Sequence, residues 1–251
     1  MIDLDVAKRN LVIANRILAN EGVVDAYGHV SMRHPHRRDR YLLSRSRSPE
    51  LVEVGDIIEF ELDGTPINDK RPPYLERYIH GAIYASRPDI QGVVHSHADE
   101  VLPFGISTTK LRPVVHTAGC LGHRIPVWDI AEKFGDTRLL VTNMEQGRDL
   151  AATLGPDRVV LMRGHGFAAA GPSLAEVVRI SVYMPRNAQT LMSALRLGEV
   201  KSLSAGEIEH HMVSKPDAPE WWRAWEYWAK RAKCEDLLAD AASLRPSNYD
   251  N

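Results

Sequence analysis

The sequence predicts an α/β fold in a single domain, on three observations. Segments with helical apolar spacing interleave with short strand-like segments, without a strict βαβ rhythm. Hydrophobic residues make up 44% and charged residues 25% of the 251 residues, a balance suited to a globular chain with a sizeable core. No internal repeat, low-complexity tract or Gly/Ser-rich linker divides the chain, so residues 1–251 read as one domain with a helical tail from about 199.

The elements follow in order. Residues 4–20 place Leu11, Ala14 and Leu18 on one helical face, with Gly22 just past the end. Strands are expected at HVSMR (29–33), YLLS (41–44) and DIIEFEL (56–62), the last closed by the turn pair Asp63-Gly64. Pro72 and Pro73 precede a helix over 75–87 that stops before Pro88. QGVVHSH (91–97) and RLLVT (138–142) read as further strands, with a helix over 143–154. In RVVLMRGHGFAAAG (158–171) a glycine-flanked turn interrupts a strand. Residues 173–198 form a long helix that Pro185 is expected to kink. A last helix near 219–238 carries Trp221, Trp225 and Trp228 on one face, a stripe suited to packing or to a lid over a flat substrate.

Charge and cysteine content narrow the partners. Lys plus Arg is 31 and Asp plus Glu 33, a net charge of -2 that argues against nucleic acid. No charge-free apolar run reaches roughly 18 residues, so no membrane span is expected. The N-terminal MIDLDVAKRN lacks a secretory pattern. Cys120 and Cys234 are far apart and in no metal-type spacing, which suits reduced thiols in a cytoplasmic protein.

Histidine placement carries the chemistry. His95 and His97 stand at i and i+2 of a strand, so both imidazoles point to one side and can form half of a metal site. His165 lies between Gly164 and Gly166 at the end of another strand, where backbone can approach an ion closely. Three neutral imidazoles with an open position suit a catalytic site. The pairs His34/His36 and His210/His211 sit among polar residues and read as solvated surface. His116 and Cys120 fall on a loop that could line a pocket, and Tyr183 and Arg186 flank Pro185, where packing explains them as well as a site does.

The segment from Pro72 to Gly105 resembles the class II aldolase/adducin family. Glu76, His80 four residues on, Tyr84 to Asp89 and the strand Val93 to His97 match its hallmark in order. Leu161 to Gly166 matches its strand-end ligand motif, and Gly28-His-Val-Ser31-Met-Arg33 an earlier element; the resemblance runs from about 6 to about 198. It implies a three-layer α/β/α sandwich around a mostly antiparallel sheet. It further implies one divalent ion per subunit on His95, His97 and His165, with Zn or Mn expected and Fe admitted. Glu76 becomes the catalytic acid–base group that could also serve as a fourth ligand, and His80, one turn along the same helix face, an orienting or packing group. A homotetramer with the site near a subunit interface is expected.

Sugar-phosphate aldolases of this family seat phosphate on Gly-Asn, Ser-Gly and Ser-Ser. This chain has Gly28-His29, Ser44-Arg45 and Tyr74-Leu75 at those places, so the phosphate seat looks lost. Arg45, or Arg47, suits a carboxylate instead, with Ser44, His29 and Tyr74 as further substrate contacts. The stretches 21–35 and 41–52 resemble the branch containing decarboxylases of hydroxylated aromatic or pyridine dicarboxylates. The implied activity is carbon–carbon lysis of a small carboxylate: loss of CO2 to a metal-stabilised carbanion, reprotonated by a carboxyl of raised pKa. An aldolase for a non-phosphorylated hydroxy keto acid is the alternative. An iron-dependent oxygenase shares the ligands, whereas an adducin-like scaffold has no need of the complete set present here.

Overall fold

In the computed structural model, residues 3–212 and 219–239 are described, with side chains at 219–221 and 239 outside the description. Helix α1 (Leu4–Asn20) starts at Asp3, whose carboxylate accepts from the Asp5 and Val6 amides. Strands β1 (His29–Arg33), β2 (Arg40–Ser44) and β3 (Ile57–Glu61) follow, then α2 (Arg77–Ser86) and β4 (Gly92–Ser96). The middle of the chain holds α3 (Leu102–Ile106), a 3-10 segment (His116–Leu121), β5 (Val127–Trp128) and α4 (Ile130–Phe134). Next come α5 (Met144–Leu154), β6 (Val159–Met162), β7 (Gly166–Gly171) and α6 (Leu174–Leu197). Helices α7 (Ala205–Met212), α8 (Pro219–Arg231) and α9 (Glu235–Ala239) end the described chain.

The strands form one seven-stranded sheet in the order β3-β2-β1-β4-β7-β6-β5. Every neighbouring pair is antiparallel except β5 with β6. Side-chain alternation divides the core in two, because successive strand residues face opposite sides. Leu42, Val94, Leu161 and Phe167 join α1, α6 and α8 on one face. Tyr41, Leu43, Val93, Val160 and Ala168 join α2, α4 and α5 on the other. Helices on both faces explain why these strands are buried throughout instead of alternating with water. The result is the expected three-layer α/β/α arrangement.

Several expectations change. RLLVT (138–142) is not a strand: Leu139 takes φ 63, which breaks any ladder there, and the Val141 amide donates to a carboxylate. The last helix is two, broken where Lys233 takes φ 56. The long helix is found as expected, as α6, and continues through the buried Pro185. His34 is buried, because its Nδ1 accepts from the His36 and Arg37 amides and closes a turn; His36 and His210 are exposed.

Trp225 and Trp228 are buried against the α1/α6 side of the core, a packed stripe; the Trp221 side chain lies outside the described residues. Tyr183 meets Trp228 with ring centres 6.0 Å apart, and Arg186 donates to Glu21 at 2.6 Å, so both serve packing. Cys120 and Cys234 are unpaired and buried. Among the described residues no helix is long and apolar enough to cross a membrane.

Candidate metal centre and its cavity

Four side chains converge where the end of β4, the β6–β7 turn and the start of α2 meet. His95 lies on the sheet face that carries Val93, toward α2, and His97 follows two residues later on the same side. The turn Arg163–His165 brings His165 back beside them. His97 Nε2 lies 2.9 Å from His95 Nε2 and 3.0 Å from His165 Nε2. Glu76 Oε2 is 3.3 Å from His95 Nε2 and 3.5 Å from His165 Nε2. One ligand atom from each of the four falls within 4.8 Å of the others.

The donor chemistry fits a divalent ion. His95 Nδ1 donates to the Phe167 carbonyl at 3.0 Å, which leaves its Nε2 as a bare lone pair aimed at the cluster. Three imidazole nitrogens facing one another cannot all be satisfied by sharing protons, whereas one cation satisfies all three together with a carboxylate oxygen. These residues could therefore hold a metal.

Glu76 sits at the N-cap of α2 but does not cap it. Its Oε1 instead accepts from the Val141 amide at 2.9 Å, and its Oε2 faces the histidines. Burial alone would push this carboxyl up; the facing His95 and His165 outweigh that and hold it well below the usual carboxylate range. The raised pKa expected for an isolated buried acid is not found, because the imidazole cluster surrounds the group. Burial, with His95 and His165 beside it, also pushes His97 down to about 4.

A cavity of about 380 Å³ opens beside the cluster, room for one substituted ring. Its walls include Tyr27, His29, Arg47, Tyr74, Leu75, Glu76 and His97. Gly28, at φ 86, lets this wall press on β4: a Cβ there would stand 3.0 Å from the His95 carbonyl oxygen. Arg47 lines the cavity and Arg45 does not. Both guanidiniums are tied to buried Asp56, Arg45 Nε to Oδ1 at 2.6 Å and Arg47 Nη1 to Oδ2 at 2.5 Å. Ser44 is buried and does not line the cavity; it donates to the Arg45 carbonyl and meets the Tyr74 side chain from behind the wall. Tyr74 donates to the Arg47 carbonyl and packs at a tilt against the His29 ring, with ring centres 4.6 Å apart, so it braces both. Cys120 and His116 lie on a 3-10 segment and line neither cavity that touches His97.

Behind His29 lies a buried set that sequence reasoning assigned only in part. His29 Nδ1 is 2.7 Å from His80 Nε2, and His80 Nδ1 is 2.6 Å from Ser31 Oγ. Ser31 Oγ is 2.9 Å from the Tyr84 hydroxyl. Tyr84 and Ser31 were visible as motif positions but not as site residues. The available signal was spacing: Glu76, His80 and Tyr84 recur every four residues on α2, and Ser31 stands two from His29 on β1.

Burial, then His95, pushes His80 from its ordinary 6.5 down to about 3. The folded state therefore binds fewer protons than the unfolded one between those values. Its contribution is intact above about pH 6.5 and is lost as pH falls toward 3. In metal-free protein the melting temperature is expected to fall over pH 6.5 to 4, and less steeply in His80→Gln. Equal slopes by calorimetry would show that His80 has no part in acid sensitivity.

The sequence matches the family described as Class II Aldolase and Adducin N-terminal domain over residues 9–192. Decarboxylase tropJ of Talaromyces stipitatus is 34% identical over 257 residues, covering 93% of this chain and 97% of that protein. The 3,4-dihydroxyphthalate decarboxylase of Arthrobacter keyseri is 29% identical, covering 68% of this chain and 72% of the relative. Among solved structures, an aldolase II superfamily protein from Pseudomonas syringae superposes with a TM-score of 0.78 at 18% identity, over 94% and 96% of the two chains. That likeness supports the fold, while the two relatives support an enzyme of the lyase type.

Proposed function

The chain belongs to the class II aldolase and adducin family, and from that premise we propose that it is a metal-dependent decarboxylase of a hydroxylated aromatic or pyridine dicarboxylate. The observation that carries the reading is Arg47 on the wall of the same cavity as Glu76 and His97. A guanidinium lining the same cavity as a cluster suited to a divalent ion, and held by Asp56 and Glu53, suits a substrate with two separated anionic groups. The names of the relatives, a decarboxylase and a 3,4-dihydroxyphthalate decarboxylase, support the same class.

His95, His97 and His165 would hold the ion, with Glu76 as a fourth donor before substrate enters. Zinc and manganese are the ions we favour, and the site would lie near a subunit interface of a homotetramer in the cytoplasm. When bound, the ion supplies positive charge against which electron density builds as the carbon–carbon bond breaks.

The remaining work falls to side chains. Arg47, oriented by Asp56, pairs with the carboxylate that stays. Tyr74 and the buried wall behind it exclude water from one side of the ring. Glu76 begins as a carboxylate, so it first accepts the proton of the substrate hydroxyl. The C–CO2 bond then breaks, its electron pair remains on the ring carbon and CO2 departs. Glu76 returns its proton to that carbon.

Purified protein with zinc or manganese restored is expected to release CO2 from hydroxylated aromatic dicarboxylates. No CO2, together with aldehyde and pyruvate-type products from a hydroxy keto acid, would replace this reading with aldol cleavage. Arg47→Ala is expected to raise KM for the dicarboxylate about tenfold or more, with a smaller effect on a monocarboxylate analogue. An equal effect on both would remove Arg47 from the second carboxylate.

A further inference from the structure

We propose that Tyr84, Ser31, His80 and His29 form a one-way hydrogen-bond chain that fixes His29 as a neutral N–H donor for a carboxylate oxygen of the substrate. All four side chains are buried, and consecutive contacts measure 2.9, 2.6 and 2.7 Å. Each contact holds one proton, so its direction follows from counting donors and acceptors.

The count starts at the inner end. Among the described residues, Ser31 Oγ is the one acceptor within reach of the buried Tyr84 hydroxyl; its other neighbour, the Val93 amide, can only donate to it. Were Ser31 to donate to Tyr84, the Tyr84 proton would be stranded in the core at the cost of an unmade bond. Tyr84 therefore donates to Ser31, and the single Ser31 proton goes to His80 Nδ1. With Nδ1 accepting, His80 carries its proton on Nε2 and gives it to His29 Nδ1. A second proton between the two rings would set N–H against N–H at 2.7 Å, so the pair stays neutral. His29 is left with its proton on Nε2.

That proton faces the cavity. His29 lines it, and the Nδ1 edge of the ring is turned inward to His80, which leaves Nε2 as the outer edge. A fixed neutral donor cannot serve a cation, and it shares the wall with Arg47, so the two point to anionic oxygens. The chain makes the donor permanent: His29 cannot turn to its accepting tautomer without stranding the Tyr84 proton. Its cost is prepaid in folding, which is what preorganisation means for binding.

The choice of carboxylate rests on the decarboxylase reading, but the tautomers do not, and two measurements separate them. In zinc-loaded protein labelled with 15N-histidine, NMR is expected to show His29 and His80 both protonated on Nε2, with no substrate present. Signals are assigned by their loss in His29→Gln and His80→Gln. Protonation of His29 on Nδ1 overturns the chain whatever the enzyme does.

Binding of phthalate, followed by calorimetry, tests the donor. Ser31→Ala is expected to weaken it about tenfold at unchanged zinc content and unchanged circular dichroism, whereas Ser31→Thr stays within about twofold of wild type. Unchanged binding in Ser31→Ala overturns the donor role. Correct tautomers in a protein that binds no phthalate overturn the carboxylate assignment. If CO2 release is also absent, the decarboxylase reading fails with it.

Discussion

Replacing His95 with alanine is expected to strip the bound metal and lower turnover about a thousandfold or more. Two features make the effect large. The ring is fully buried, so its removal leaves a gap among packed groups where no other side chain stands ready to ligate. Its Nδ1 bond to the Phe167 carbonyl fixes both tautomer and aim, and other side chains cannot reproduce that geometry. Losing metal stabilisation of developing charge is worth several kcal/mol, and each 1.36 kcal/mol is tenfold in rate. Metal content by elemental analysis and CO2 release together check the result. Glu76→Gln is the contrast: three histidines remain, so metal is expected to stay while turnover is lost. Retained metal and turnover in the alanine variant would place the chemistry elsewhere.

Gly166→Ala is expected to cost about 3–5 kcal/mol of stability, and to disturb the metal centre along with it. A Cβ at this position would stand 2.0 Å from the Ser96 carbonyl oxygen and 3.0 Å from His97 Cα. Those atoms are backbone and cannot swing aside. The residue also holds φ 151, which side chains rarely adopt. Relief requires β7 to separate from β4 between His97 and His165, the two ligands it brings together. Thermal melting should therefore drop by roughly 10 °C, with weakened metal retention at temperatures where the variant is still folded. A melt within a degree of wild type would show that the strands tolerate the added methyl.

What the sequence made legible was whatever obeys a short period. The HVSMR, YLLS and QGVVHSH segments read as short strands from their apolar and β-branched content, and the shared face of His95 and His97 follows from strand alternation. The end of α1 follows from Gly22 just past it, whereas the Asp3 and Asn143 caps of α1 and α5 show only in the structure. What escaped depends on tertiary partners. RLLVT has strand composition, yet its Val141 amide is claimed by Glu76. The two-residue β5 is too short to show any period. The choice between Arg45 and Arg47 turns on how the chain leaves β2 toward Pro73, since Arg45 still bridges Pro73 and only the residues after it reach the cavity. His34 looked solvated within RHPHRRDR, but a turn folded around its ring.

The bond from the Val141 amide to Glu76 joins two things usually treated apart, the order of a surface segment and the state of a carboxylate. Residues 135–143 have few ladder bonds of their own. Whatever draws Glu76 toward a ligand or a proton must also change the protection of that amide. Hydrogen exchange at one backbone position, far easier to follow than a side chain inside a closed site, thus becomes a readout of what occupies the centre.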